Sequence, residues 1–325
     1  FSVEPLPKWG PGMVLTLELR SLLWADQDGG FGCGRRLLRR PEAGRAEAAR
    51  DRLHTGRVTD SSAPASPADS TWWRQAVVYQ VYPRSFADAN GDGTGDINGI
   101  RSRLPYLQRL GVDAIWVCPW YPSPLNDGGY DVVDYRDIDP RFGTLADAEA
   151  LIDEAHEAGI RVLVDIVPNH TSSDHPWFKA ALAAAPGSPE RQRYLFRPGK
   201  GPDGSQPPTN WTCVFGGSAW TRLPDGEWYL HLFDSTQPDL DWENEEVRAE
   251  FDAIFRFWLD RGVDGFRIDV SHGMVKDQAF PDVPTIEELL ETSQVSDHPH
   301  WDRDGIHEIN RRWRKVLDDS GRDVM

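Results

Sequence analysis

The sequence predicts an α/β protein built on a parallel β-sheet. From residue 72 onward, apolar segments typical of strands alternate with amphipathic segments typical of helices, and this alternation produces parallel strands joined by helical crossovers. The predicted strands are almost continuously apolar, which indicates a sheet covered on both faces. One long segment rich in Pro, Gly and Trp interrupts the alternation, so we expect a small domain to be inserted there.

The first half of the pattern contains three strands and two helices. Gly111 ends the first helix, because glycine readily takes the left-handed conformation that closes a helix. In chain order the predicted elements are the strand "AVVYQVYP" (76–83), the helix "INGIRSRLPYLQRLG" (97–111), the strand "VDAIWVCP" (112–119), the helix "LADAEALIDEAHEAG" (145–159) and the strand "IRVLVDIVPNH" (160–170).

The second half of the pattern contains a helix, a strand and a further helix. The first helix has one apolar face at helical spacing, formed by Val247, Phe251, Ile254, Phe255, Trp258 and Leu259. Gly262 ends it, and "VDGFRIDV" (263–270) follows as the fourth strand. The next predicted helix is "GIHEINRRWRKVLDDSG" (305–321), after which "RDVM" is the last stretch of the sequence.

Two regions fall outside the alternating pattern. The insertion leaves from the end of the third strand, covers about residues 171–241, and has one strand-like stretch at "EWYLHLF". Residues 1–71 hold 10 Lys or Arg and 9 Asp or Glu and end in "SSAPASPADS", whereas the rest of the chain is strongly acidic. We therefore expect 1–71 to be a poorly ordered N-terminal extension and 72–325 to form the folded part.

Composition excludes several classes of function. The net charge of −17 argues against binding to nucleic acid or to an anionic membrane, and no apolar run approaches the length of a membrane span. The three cysteines have neither disulfide-framework nor zinc-ligand spacing. Because no stretch makes a convincing signal peptide, we expect a cytoplasmic protein. The oligomeric state does not follow from the sequence.

The stretch "GFRIDV" places two opposite charges inside an apolar strand. Side chains alternate along a strand, so Arg267 and Asp269 share one face. A guanidinium next to a carboxylate keeps that carboxylate ionised, and an ionised Asp at the end of such a strand can attack an electrophilic carbon. The spacing fits a buried structural ion pair equally well.

The loop "DANGDGTGD" has oxygen-bearing side chains at every second position. Such an arrangement can wrap a hard cation such as Ca²⁺. The twelfth position is Gly99 rather than Glu, so the loop is not an EF-hand. An acidic turn in which the last aspartate caps the next helix is the alternative. The candidate ligands are Asp88, Asn90, Asp92, the Thr94 carbonyl and Asp96.

Three further polar residues follow predicted strands on the side that carries Asp269. They are Asp127 and Tyr130 in "DGGYD" and His170 in "VPNH". Each could have a structural role alone, but their convergence at the carboxyl ends of the strands favours a shared site.

Five ordered motifs make the chain resemble the alpha-amylase family, glycoside hydrolase family 13. They are "QVYPRSF", "GDGTGD", "DIVPNH", "QPDLDW" and "GFRIDV". The resemblance runs from about Trp72 to Met325 and is greatest to the alpha-glucosidase and oligo-1,6-glucosidase branch. One departure is Asp241 in "QPDLDW", where that branch usually has Asn.

The resemblance implies a (β/α)8 TIM barrel, of which this chain holds about the first four β/α units, with an inserted domain B after strand three. It implies retaining hydrolysis of α-1,4- or α-1,6-glucosidic bonds at the non-reducing end of oligosaccharides. Asp269 would be the nucleophile and Arg267 its partner. The implied glucose-binding residues are Asp127, Tyr130, His170, Phe233 and Gln237, and the loop from Asp88 to Asp96 would hold structural Ca²⁺ or Mg²⁺.

The resemblance also implies a missing catalytic group. Retention requires a second carboxylic acid about 5 Å from the nucleophile, and the family supplies it as a Glu at the end of the fifth barrel strand. In this sequence that strand would begin at "RDVM". Glu308 lies within a predicted helix and is an unsuitable substitute. We therefore expect a C-terminally truncated fragment that is inactive as given.

Two other functions remain open at this point. A glucosyl-transferring relative, of the sucrose isomerase or trehalose synthase type, would use the same nucleophile with another acceptor. Val270, directly after Asp269, is typical of branches that cleave α-1,6 bonds. A non-catalytic family member acting as a binding subunit is the third reading, although such proteins commonly lose the nucleophile that this chain keeps.

Overall fold

The computed structural model describes residues 72–284 and 298–325. The predicted N-terminal extension, residues 1–71, lies outside the described residues. Among the described elements the strands are β1 (Val78–Val81), β2 (Ala114–Val117), β3 (Arg161–Ile166), β4 (Phe196–Pro198), β5 (Trp220–Arg222), β6 (Glu227–Leu230) and β7 (Gly265–Ile268). The helices are α1 (Pro83–Phe86), α2 (Ile97–Leu110), α3 (Leu145–Glu157), α4 (Pro176–Ala183), α5 (Glu245–Leu259) and α6 (Ile306–Asp319).

The predicted parallel sheet is confirmed. Its strands lie in the order β1–β2–β3–β7, and all three pairings are parallel. Each strand is shorter than the apolar run that predicted it. For example, β3 ends at Ile166, because the Pro168 that follows cannot donate to a ladder. The residues after it are thereby released into the loop at the carboxyl edge of the sheet.

The four long predicted helices are confirmed, and their ends follow from local capping. The Asp96 side chain accepts the Gly99 N–H at the start of α2, and Gly111 ends it with φ of 83°. Thr144 and Asp147 form a reciprocal capping box at the start of α3. The Asn244 side chain accepts the Glu246 N–H at the start of α5.

The two faces of the sheet are covered differently. Helices α2, α3, α5 and α6 pack into one core with the residues of one face, among them Val117, Val164 and Phe266. The opposite face carries a small separate cluster around Trp116, Cys118 and Leu163, next to charged side chains. A continuously apolar strand predicts that both faces are covered, but it does not distinguish a helical layer from the inward face of a curved sheet.

The segment between β3 and α5 has a sheet of its own. Strands β4, β6 and β5 pair antiparallel in that order, and β6 lies in the predicted strand-like stretch. A separate apolar cluster includes residues of β5 and β6 and consists of Leu195, Trp211, Ala219, Trp220, Leu230, Leu232 and Phe280. This substructure lies where the sequence predicted an insertion. Its limits at about 171–241 stay a prediction.

Candidate active site

Arg267 and Asp269 meet at the carboxyl end of β7. Asp269 lies one residue beyond the strand, and its N–H donates to the carbonyl of Ile166 at 2.8 Å, which continues the pairing with β3. The Arg267 Nη1 donates to Oδ1 of Asp269. The alternation that the sequence predicted thus places both side chains together.

Asp165 is a member of this charge cluster that sequence reasoning missed. It pairs with Arg267 in the register of β3 and β7, and its two carboxylate oxygens lie 3.2 and 3.3 Å from Arg267 Nη1. Trp116 Nε1 donates to it at 2.9 Å. A sequence signal for Asp165 was present: it is a charged residue inside the apolar strand "RVLVDIV", just as Arg267 and Asp269 are charged residues inside "GFRIDV".

The guanidinium of Arg267 lies between two aromatic rings. Its Cζ is 4.7 Å from the Trp116 ring centroid and 5.8 Å from that of Tyr130. Burial lowers the pKa of Arg267, but the carboxylates of Asp165 and Asp269 together raise it above its ordinary value. Arg267 is therefore a permanent cation in direct contact with Asp269.

A second group of polar side chains gathers around Gln237. Its side-chain N–H₂ donates to Asp127 at 2.9 Å and lies 3.1 Å from Nε2 of His170. Its Oε1 accepts the Asp234 N–H at 3.0 Å, which fixes the orientation of the amide. Burial raises the pKa of Asp127, with the Gln237 hydrogen bond opposing.

His170 is held as a neutral imidazole. Burial lowers its pKa to about 4, against the charge of Asp239. The Asn169 amide nitrogen lies 3.2 Å from Nδ1, and the Tyr130 carbonyl lies 3.2 Å from Nε2. Because an amide N–H₂ donates, the Asn169 amide makes Nδ1 an acceptor, whereas Nε2 meets both the Tyr130 carbonyl, an acceptor, and the Gln237 N–H₂, a donor.

The two groups form one network. The Tyr130 hydroxyl donates to Asp165 at 3.3 Å, while its carbonyl contacts His170. The ring of Phe233 packs on His170 with centroids 5.0 Å apart. Contacts through Asp165 therefore connect the seven residues that the sequence nominated for catalysis and sugar binding.

A buried cation supports the base of this network and was also missed. Lys276 is almost fully buried and lies 2.7 Å from Asp239 and 2.9 Å from the Asn169 amide oxygen. Asp239 faces His170 across an isolated antiparallel bridge. Nothing in the sequence near Lys276 marks it as buried, because its partners come from two distant segments.

The predicted metal loop uses its oxygens internally. The Asp88 carboxylate accepts the N–H groups of Gly91 and Gly93, and Asp92 accepts that of Thr94. These backbone hydrogen bonds, that of Gly93 foremost, hold the pKa of Asp88 below its usual value. Asp96 caps α2, as the alternative reading expected.

The oxygen ligands in this loop are of the type that a hard cation prefers, but their side chains do not point at one common position. Within residues 72–284 and 298–325, no three acidic, His or Cys side chains cluster to hold a metal ion. Cation binding would require Asp88 and Asp92 to exchange backbone partners for the ion. The site stays a prediction.

Glu308 is remote from the candidate site. It lies in α6 with a side chain 74% exposed and faces Arg248 at 3.6 Å. The sequence-based rejection of Glu308 as a second catalytic carboxylate agrees with this position.

Comparison with known proteins matches this arrangement to one family. The model of the alpha-amylase catalytic domain matches residues 80–325. The chain is 51% identical over 215 residues to the oligo-1,6-glucosidase of Parageobacillus thermoglucosidasius, covering 66% of this chain and 38% of the relative. It is 46% identical over 242 residues to the trehalose-6-phosphate hydrolase of Bacillus subtilis, covering 74% and 42%.

Solved structures show the same likeness. The trehalose-6-phosphate hydrolase of Bacillus licheniformis superposes with a TM-score of 0.71 at 44% identity, over 78% of this chain and 44% of the other. The trehalulose synthase of Pseudomonas mesoacidophila MX-45 gives 0.71 at 41% identity, over 79% and 45%. The chain thus spans less than half the length of these relatives. None of its described helices has the length and apolarity to cross a membrane.

Proposed function

The chain belongs to the alpha-amylase family through its catalytic domain, and from this premise we propose that it carries the nucleophile side of a retaining α-glucosidase active site. The observation that carries the proposal is the contact of Asp269 with Arg267 at the end of β7, within one network with His170, Gln237 and Asp127. The substrates would be oligosaccharides with α-1,4- or α-1,6-linked glucose at the non-reducing end.

In the proposed reaction the Asp269 carboxylate attacks the anomeric carbon of the terminal glucose. A glycosyl–aspartate ester forms as the bond to the leaving oxygen breaks, and water later releases glucose with its original configuration. The permanent charge of Arg267, in direct contact with Asp269, favours the ionised carboxylate that the attack requires. Asp165 contacts the same nitrogen, Nη1, through both of its carboxylate oxygens.

The second group would hold the sugar. Neutral His170, Asp127 and the Gln237 amide present hydrogen-bonding atoms that suit glucose hydroxyls, and the Tyr130 ring offers an apolar surface to a sugar face. Binding energy from these contacts would fix the anomeric carbon against Asp269, which is how remote contacts accelerate a reaction.

The general acid would come from outside this sequence. We place it in the part of the relatives' length that lies beyond the region matched by this chain. A glycosidic oxygen leaves slowly without a proton, so the chain by itself would not turn over natural substrates. In this chain the nucleophile would therefore already be in place, whereas turnover of natural substrates would also need the acid.

A substrate that needs no acid tests the nucleophile in this chain. Fluoride departs from 5-fluoro-α-glucosyl fluoride without protonation, and the ring fluorine slows release of the ester. Incubation of the purified chain should label Asp269 covalently, as read by mass spectrometry of its peptides. Asp269→Asn should remove the label, because an amide does not attack.

A matched control variant tests whether the loss of label is specific to Asp269. Asp203→Asn changes an exposed carboxylate in a loop of the insertion and should leave labelling intact. A soluble, folded chain that takes no label, or takes it at another carboxylate, would show that Asp269 only pairs with Arg267.

Glucosyl transfer is the second candidate, favoured by the likeness to a trehalulose synthase. It would share the ester at Asp269 and differ in the acceptor that releases it. The products formed from sucrose by a completed enzyme distinguish the two: free glucose and fructose indicate hydrolysis, and an isomeric disaccharide indicates transfer.

A further inference from the structure

Lys276 is a buried ammonium surrounded by three acceptors. Its Nζ lies 2.7 Å from the carboxylate of Asp239, 2.9 Å from the amide oxygen of Asn169 and 3.4 Å from the carbonyl of Met274. Burial lowers the pKa of Lys276, and the Asp239 carboxylate opposes that shift. An ammonium donates three hydrogen bonds and accepts none. Lys276 therefore requires an acceptor atom from each of these neighbours.

The contact with Lys276 fixes the orientation of the Asn169 amide. Asn169 is fully buried, so turning the amide round would set two donors against each other where no solvent can separate them. With its oxygen towards Lys276, the amide nitrogen faces the neighbouring ring and lies 3.2 Å from Nδ1 of His170. An amide N–H₂ only donates, so Nδ1 of His170 has to be an acceptor.

The contacts of the other ring nitrogen of His170 favour opposite tautomers. Nε2 lies 3.2 Å from the Tyr130 carbonyl, which requires a donor. It also lies 3.1 Å from the amide nitrogen of Gln237, which is itself a donor. The Gln237 amide is held in this orientation, because its oxygen accepts the Asp234 N–H and its nitrogen donates to Asp127. The position of the ring proton is therefore decided at Nδ1.

We propose that Lys276 is a positioning residue that acts through Asn169 to place the ring proton of His170 on Nε2. A neutral imidazole carries one proton, and with Nδ1 committed as an acceptor that proton has to lie on Nε2. Burial keeps the ring neutral by lowering its pKa to about 4, and the positive charge of Lys276 acts in the same direction. Lys276 thus sets both the tautomer and the charge of His170 from a distance.

This proton position decides what the pocket offers to a ligand. The His170 Nε2–H and the second N–H of the Gln237 amide belong to two nitrogens 3.1 Å apart. Two donors this close favour a shared acceptor, and a sugar hydroxyl oxygen placed between them would accept from both. This step rests on the proposed function, in which His170 and Gln237 hold the glucose unit. Lys276 is buried and would not touch the sugar.

Nuclear magnetic resonance of the full chain with ¹⁵N-labelled histidine reads the tautomer, because protonated and unprotonated ring nitrogens resonate far apart. The His170 signals are assigned by their loss in His170→Gln. Wild type should carry the proton on Nε2. Asn169→Asp keeps the side-chain size and the contact with Lys276 but replaces the donor with a carboxylate oxygen, so Nδ1 should gain a proton. His175 is the internal control for folding, because its Nδ1 accepts the Trp177 N–H at 3.1 Å.

A second variant tests Lys276 itself. Lys276→Met alone would leave the Asp239 carboxylate buried without its cation and destabilise the fold. It is therefore combined with Asp239→Asn, whose amide oxygen can still accept the Leu232 N–H. In the double variant the Asn169 amide loses its charged donor, and His170 should shift to a mixture of both tautomers. Lys179→Met, at an exposed position of α4, should leave the spectrum unchanged.

Covalent labelling of Asp269 by 5-fluoro-α-glucosyl fluoride is read separately, because it depends on the proposed function. Asn169→Asp should slow labelling about tenfold, the effect of losing one hydrogen bond to the sugar. A moved proton with an unchanged labelling rate would leave the role of Lys276 standing and count against His170 as a glucose-binding residue. A proton on Nδ1 in wild type, or a wild-type tautomer in either folded variant, would overturn the inference.

Discussion

At the scale of single residues, the candidate site depends on one shared cation. Nη1 of Arg267 contacts both Asp165 and Asp269. Burial raises the pKa of Asp165 to about 8, with the charge of Arg267 opposing. Its oxygens accept hydrogen bonds from Trp116 and Tyr130, so both shape and polarity matter at this position.

Two substitutions at Asp165 separate shape from polarity. Asp165→Asn keeps an acceptor for Trp116 and should cost about 1 kcal/mol or less in the free energy of unfolding at pH 7. Asp165→Ala leaves buried donors and the Arg267 charge without this partner and should cost about 3 kcal/mol. Urea unfolding followed by circular dichroism measures both. Equal losses would show that the carboxylate charge itself is what the fold requires.

His300 should make the fold sensitive to acid. It is 3% exposed, and burial lowers its pKa to about 3, with His298 and Lys276 acting in the same direction. The unfolded chain binds the proton near pH 6.5 and the folded chain does not, so stability is full above pH 6.5 and falls as the pH drops toward 3. Between pH 7 and pH 5 the expected loss from this group is about 2 kcal/mol.

The variant His300→Gln should lose less stability than wild type over that interval. His307→Gln, at an exposed position of α6, should retain the wild-type dependence on pH. Unfolding free energies at the two pH values provide the measurement. An unchanged dependence in His300→Gln would assign the acid sensitivity to other groups.

At the scale of elements, the nine-residue loop before α2 contains both the cap of that helix and the candidate cation ligands. Asp96 caps the helix, while Asp88, Asn90 and Asp92 bond to the loop backbone. These exposed side chains are close in sequence and easily rearranged, so a cation could replace backbone donors without disturbing the cap. A bound ion would then add to the stabilisation that the Asp96 cap already gives the start of α2.

We expect Ca²⁺ or Mg²⁺ to raise the melting temperature of the chain through this loop. At saturating ion the rise should be about 5 °C, because ligand binding to the folded state alone stabilises it. Asp92→Ala should abolish the rise, whereas Asp203→Ala, in another exposed loop, should not. Calorimetry with the ion and with chelator measures it. Equal melting temperatures of the wild-type chain with ion and with chelator would show that this loop binds no ion that stabilises the fold.

At the scale of the whole molecule, the described sheet has four parallel strands and two ends, β1 and β7. Open edges recruit strands from other chains. The inward face carries the Arg267 cluster over a small apolar patch, whereas a closed barrel fills that space with layers from alternate strands. In the barrel that the proposed function assumes, further strands would complete this core and supply the acid.

The chain by itself should therefore be inactive and should self-associate. We expect no turnover of maltose, isomaltose or an aryl α-glucoside, and a mass above that of a monomer that rises with concentration. Light scattering after size-exclusion chromatography and a glucose-release assay measure the two. A stable monomer with turnover would require a second catalytic carboxylate within residues 72–325.

The sequence by itself determined the parallel α/β arrangement and the four long helices, and it nominated seven residues of the candidate site. These follow from local rules: periodicity marks helices and strands, capping residues mark helix ends, and alternation places Arg267 beside Asp269. The family motifs nominated the more distant members, such as Gln237, and the network that joins them is consistent with that nomination.

Only the tertiary structure decided which distant residues contact the buried charged groups. Asp165 and Arg267 are 102 positions apart, and Lys276 and Asn169 are 107 positions apart. No periodic pattern relates residues at such separations, because their contact depends on strand register and on how the insertion folds back. The same reason explains why apolar strands alone did not reveal which face of the sheet carries helices and which carries Asp165 and Arg267. That choice depends on sheet curvature, which is a property of all the strands together.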